Sequence, residues 1–209
     1  IDAFEVKEGA TLTANAAQIT GLNVTGAGSV AVQALQSSTS ADLSGITVTG
    51  TVTAAATISN TTVNFDGNLG KAAVTITGDG GDNDIFNVDS ATMGTATFMV
   101  TDAVLQGTAT KLVGVTAAGT GSVQVTGAVA ATVYDLTTLS STGLSLNYAT
   151  GGTVASGTKF NSAVVSGSTN ESLTIAKAEL DTATSLSATG TGTITLTDAT
   201  GAVYTTDVT

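Results

Sequence analysis

Carboxylates are the one chemically active side-chain type that crowds together in this sequence, and they do so in one place. Four of the sixteen acidic residues fall in the run Gly78-Asp79-Gly80-Gly81-Asp82-Asn83-Asp84-Ile85-Phe86-Asn87-Val88-Asp89. Interleaved glycine lets the backbone take positive φ and gather carbonyl oxygens near a common point. Asp and Asn add side-chain oxygens, and an all-oxygen shell of this density suits a hard cation such as Ca²⁺. Carboxylates this close repel one another unless a cation lies between them. The competing reading is a solvated turn whose Asp and Asn side chains close Asx hydrogen bonds on the chain itself.

Elsewhere the composition removes most chemistry. The 209 residues include no His, Cys, Trp, Pro or Arg, and five Lys stand against sixteen Asp plus Glu, for a net charge of −11. A Ser-His or Cys-His nucleophile cannot be built from these residues. A glycosidase-type carboxylate pair remains open, but five Phe and three Tyr give a sugar few platforms. The expectation is that the chain is not an enzyme. Phosphate contacts need clustered Lys and Arg, so nucleic acid is excluded as a partner. No stretch approaches the ~20 apolar residues that span a bilayer, so direct membrane insertion is not expected. The chain begins at Ile1 rather than Met and shows no basic-then-apolar leader, which reads as a fragment of something longer.

The elements that must carry the acidic run are strands. Ile1 to Gly9 alternates apolar and polar residues, with Asp2, Glu5, Lys7 and Glu8 on the polar side. Leu12 to Ile19 reads as a short Ala-rich helix of at most two turns. Period two then dominates, in Ser29-Val30-Ala31-Val32, Val74-Thr75-Ile76-Thr77, Thr97-Phe98-Met99-Val100, Val123-Gln124-Val125, Leu144-Ser145-Leu146, Leu173-Thr174-Ile175 and Ile194-Thr195-Leu196. Short Val/Ile/Thr runs bounded by Gly, Asn, Asp or Ser at ~8–12-residue spacing indicate an all-β protein.

Internal repetition sharpens the fold class. A shift of 93 positions aligns Gly21, Gly26, Gly28, Ser29, Val30, Val32, Thr39, Asp42 and Leu43 with Gly114, Gly119, Gly121, Ser122, Val123, Val125, Thr132, Asp135 and Leu136. Leu12–Ile19 also resembles Leu173–Leu180, with Phe86–Met93 as a third candidate copy. Repeats that cannot bury their own faces stack. The expected architecture is therefore a repetitive β-solenoid or β-roll with few short helices, tandem β-sandwich domains being the alternative. The expected division is an N-terminal strand at 1–10, a first β-rich repeat at 11–100 and a second at 101–209.

Gly78 to Phe86 resembles a repeats-in-toxin (RTX) nonapeptide, GGxGxDxUx, and the surrounding Thr/Ala/Gly/Val sequence is similar to S-layer proteins and large RTX-type surface adhesins of bacteria. In that resemblance Asp79, Asp82 and Asp84 supply carboxylates to Ca²⁺, Gly80 and Gly81 supply carbonyls, and Ile85 or Phe86 enters the core. The sequence holds one such nonapeptide rather than a tandem run, and the related turn at Gly167–Leu173 lacks the aspartates.

Other acidic positions read as turn formers: Asp42 and Asp135 at matching repeat positions, and Asp66 in Asp66-Gly67-Asn68. Asn23, Asn60 and Asn170 match the glycosylation pattern, which arises often in a chain this rich in Ser and Thr, and no glycan is assigned. The expected role is structural: an extracellular, secreted bacterial surface-layer, fibre or biofilm-matrix protein that polymerises with copies of itself, stabilised by Ca²⁺, with Ile1 to Gly9 as the junction. An adhesin domain that binds a cell-surface glycan through Tyr134, Tyr148 and Tyr204 is the alternative.

Overall fold

The computed structural model describes residues 3–81, 83–187, 191–197 and 203–206. It is mostly β, a β-solenoid of about ten turns with parallel strands and three short helices. The parallel pairing rules out the tandem sandwich, whose sheets are antiparallel. The chain divides into two compact units, Ile1–Gln106 with Val115–Ser122, and Gly107–Gly114 with Val123–Thr209.

In the first unit β1 (Ala3–Val6) is followed by β2 (Thr11–Asn15), a single helical turn α1 (Ala16–Ile19), β3 (Asn23–Gly26), β4 (Ser29–Gln33), β5 (Val52–Thr57), β6 (Thr62–Asn64), β7 (Ala73–Thr77), β8 (Ile85–Asn87) and β9 (Thr97–Thr101). β10 (Val104–Thr108) and β11 (Thr116–Val129) run from one unit into the other, with the helical turn α2 (Ala109–Leu112) between them. Registers advance by one coil at each step: Ala54 faces Val74, Val74 faces Phe98, and Phe98 faces Ala117. All four are buried, and they form one inward column in which the large Phe98 lies between smaller Val74 and Ala117. A second inward column runs Val63, Phe86, Leu105. Phe65 stacks on Phe86 with ring centroids 5.6 Å apart. Burying each such side chain contributes ~1.5–3 kcal/mol. The narrow core explains why large aromatics are few.

The second unit repeats the plan with β12 (Leu139–Thr150), β13 (Gly152–Thr153), β14 (Val164–Gly167), β15 (Leu173–Ala176), the turn α3 (Lys177–Leu180), β16 (Ser185–Ser187) and β17 (Ile194–Thr197). Leu146, Val165 and Leu186 share one column, and Leu173 and Ile194 another. β18 (Val203–Thr206) runs antiparallel to β17.

At corners, where the strand ladder breaks, side chains one coil away take over the backbone donors. Thr20 Oγ1 accepts from the Asp42 amide at 2.7 Å, Gln36 Oε1 from Thr57 at 3.1 Å, and Asn170 Oδ1 from Thr191 at 2.8 Å. Backbone donors without a ladder partner bond to side chains or water, and here the accepting side chain lies about one coil earlier.

The 93-residue recurrence is structural. Gly26 and Gly119 both adopt positive φ, +113° and +125°, and both lie against the preceding coil, where a Cβ would collide with the carbonyl oxygens of Val6 and Val100. Asp42 Oδ1 accepts from the Ser44 amide and hydroxyl, and Asp135 Oδ1 accepts in the same way from Thr137. Leu12–Ile19 differs from the helical expectation. Its first half is strand and only its second half a helical turn, as in Leu173–Leu180. The third copy is Leu105–Leu112, which enters α2 from β10; Phe86–Met93 leaves its strand into a non-helical turn.

Candidate metal centre

The acidic run is an insertion at one corner of a coil. β7 and β9 pair through Thr77 and Thr101, and β8 and β10 pair from Ile85 and Val104. Two residues therefore separate the paired segments in the later coil, where the earlier one places 78–84. Gly78 starts the excursion, and a Cβ there would strike the Asp102 carbonyl oxygen. Gly80 needs glycine for its φ of +87° rather than for space.

Asp84 closes the loop. Its side chain is fully buried. Oδ1 accepts from the Asn60 amide at 2.6 Å, and Oδ2 accepts from the Asp79 and Gly81 amides at 2.8 and 3.2 Å. Three N–H dipoles thus point their positive ends at one carboxylate, which is what allows a charge to lie inside. Strand parity already places it there: Asp84, Phe86 and Val88 are all inward and fully buried.

Asp79 lies on the exposed rim. Its Oδ2 accepts from the Ser59 hydroxyl at 2.5 Å and its Oδ1 from the Gly81 amide at 3.1 Å. The Ser59 hydroxyl, foremost, and the Gly81 amide hold the Asp79 carboxyl below the usual range. Gly81 adds its amide to both aspartates. Asp82 lies outside the described residues. Asp89 sits beyond β8 in a separate turn, where its amide donates to Asn87 Oδ1 at 2.9 Å. Of the two candidate core residues after the loop, Phe86 is buried and Ile85 only half-buried.

Calcium takes six to eight oxygens at ~2.3–2.6 Å. Among the described residues no group of three or more acidic side chains is gathered in reach of one ion. Asp84 directs both oxygens at amide hydrogens, whose positive ends a cation would meet head on. The described residues do not fit a calcium shell; they fit a loop closed by its own backbone. Sequence reasoning missed Ser59 and Asn60, which lie one coil earlier.

No protein family, curated protein or solved structure matches this chain.

Two further carboxylates of the second unit act as Asp84 does. Glu179 is buried and accepts from the Gly157 amide at 3.0 Å, and Glu171 accepts from the Gly151 amide at 2.5 Å. The tyrosines expected as a glycan platform are core residues where described. Tyr134 and Tyr148 are buried edge to face with centroids 6.3 Å apart, and the Tyr134 hydroxyl accepts from the Val129 amide at 2.9 Å. The Tyr204 side chain lies outside the described residues. Among the described residues no helix is long and apolar enough to cross a membrane.

Proposed function

We propose that this chain is a structural, self-assembling segment of an extracellular bacterial surface layer or matrix. The observation that supports it is the placement of charge. Of the described strands only β1 carries a charged residue, Glu5. Every other described Asp, Glu and Lys lies outside the strands, in a turn, a corner or a short helix as Asp79 and Lys177 do, or at an isolated parallel bridge as Asp42, Asp135 and Lys159 do. Outward strand positions are mostly Thr, Ser, Ala, Asn and Gln, with Phe4, Met99, Val129 and Val164 as exposed apolar exceptions. A chain of net charge −11 repels its own copies. Confining that charge to corners leaves broad neutral faces on which copies can approach.

The resemblance to S-layer and RTX-type surface proteins supplies the extracellular setting. The carboxylates contribute acceptors for backbone amides rather than reacting groups, which accords with a scaffold rather than an enzyme. Electron microscopy and light scattering over a concentration series test the reading. Ordered sheets or fibres are the expected result, and a chain that stays monomeric at every concentration would overturn it.

A further inference from the structure

The neutral faces are not equivalent, and one of them is continuous across the first unit. β2, β4, β5, β7, β9 and the first residues of β11 pair side by side in parallel. Their outward residues stand in registered rows: Thr53 beside Ala73 beside Thr97, and Ala55 beside Thr75 beside Met99. All six are exposed, Met99 by 49%. None of the outward residues of this face is charged.

We propose that this face is the lateral contact between two copies of the chain, packed sheet against sheet. The inference rests on the self-assembly reading and names the surface that performs it. Three features select a second copy as the occupant. A partner of net charge −11 can approach most closely where no carboxylate faces it. Small side chains in rows ~4.8 Å apart offer grooves of the same spacing as the rows, so the sheet complements itself. Exposed Met99 projects from a surface of Thr and Ala and supplies an adaptable apolar anchor.

The face measures about 29 Å across its strands and about 16 Å along them, about 450 Å² per copy. Stable pairs bury roughly 800 Å² per partner. A single contact is therefore weak, and it holds only when repeated along an array. Salt should strengthen it, because screening within ~8 Å removes the long-range repulsion of the corners while leaving the neutral face unchanged.

Sedimentation velocity over a concentration series at high salt tests the assignment on three proteins. Wild type should show mass rising with concentration. Thr53→Glu with Thr75→Glu, both at exposed positions, should weaken that association at least tenfold without lowering the melting temperature. Thr62→Glu on β6, an exposed residue off this face, should associate as wild type does. Should the double variant melt early, Ala73→Glu alone gives the same readout. If wild type assembles and the face variants assemble equally, the face assignment fails while self-assembly stands. If wild type itself remains monomeric, both fall.

Discussion

Asn60 and Asp84 stand on successive coils, and the Asn60 amide donates to Asp84 Oδ1 at 2.6 Å across the corner between them. This bond ties the acidic loop to the coil before it. With the Asp79 and Gly81 amides it forms an anion-binding cradle whose anion is the chain's own side chain. Asp84→Asn should destabilise the protein by roughly 3 kcal/mol, because hydrogen bonds to a charged group contribute ~1.5–3 kcal/mol each and the amide NH₂ would face a donor. Asp79→Asn, on the exposed rim, should cost much less. Urea unfolding of both variants checks the order, and equal effects would contradict it.

Glycine at matching repeat positions should be irreplaceable for a different reason than glycine in the loop. At Gly119 a side chain meets both the positive φ and the Val100 carbonyl of the preceding coil; at Gly80 it meets the φ alone. Gly119→Ala should cost roughly 3 kcal/mol or more, and Gly80→Ala ~1–2 kcal/mol. Thermal melts of the pair give the comparison.

The two buried tyrosines should respond to loss of their hydroxyls with opposite signs. Tyr148 Oη is buried with no hydrogen-bond partner among the described residues, and burial, followed by the nearby Tyr134, pushes its pKa well above the usual phenol range. Tyr148→Phe should therefore leave stability unchanged or raise it by ~1 kcal/mol. Tyr134→Phe removes the acceptor of the Val129 amide and should lower stability by about the same amount.

Acid should act through the corner aspartates. Asp135 is held well below the usual carboxylate range by the Thr137 hydroxyl first, then by Lys159 and the Thr137 amide. Asp42 is lowered by the Ser44 hydroxyl and amide, and Asp79 by Ser59. A carboxylate depressed in the folded state adds stability above its unfolded pKa of ~3.9, and that stability disappears as pH falls through the folded value. The melting temperature should be flat from about pH 5 to 8, where a chain without histidine has little to titrate, and should fall below about pH 4. Asp135→Asn should flatten the acid limb.

Much of the fold was legible because period two in Val, Ile and Thr marks strands directly, as at Val30-Ala31-Val32, and because Gly26 and Gly119 recur with their flanking residues. The coil length was less legible. Successive coils differ in length at their corners: Thr53 faces Ala73, but Ala73 faces Thr97. Such uneven steps blur any short repeat, while the longer shift survives. The helical reading of Leu12–Ile19 held only for Ala16–Ile19, because in the first half Ala-rich composition cannot outweigh a neighbouring strand that pairs Leu12 with Val30. At the loop, composition drew attention to oxygens and hid direction. Asp84 shares the parity of Phe86 and Val88, so the pattern already placed a carboxylate on the core side. What it could not name were the donors, because Asn60 and Ser59 are brought there only by stacking.

The most direct test of a metal-independent, self-assembling scaffold is paired thermal melting and light scattering of the wild-type chain in millimolar Ca²⁺ and in excess EGTA. The expected result is superimposed melts, with assembly growing with concentration in both buffers, since Asp84 is satisfied by backbone amides. A melting temperature raised by Ca²⁺, with assembly only in its presence, would contradict this and make the Gly78 to Asp89 loop a metal site.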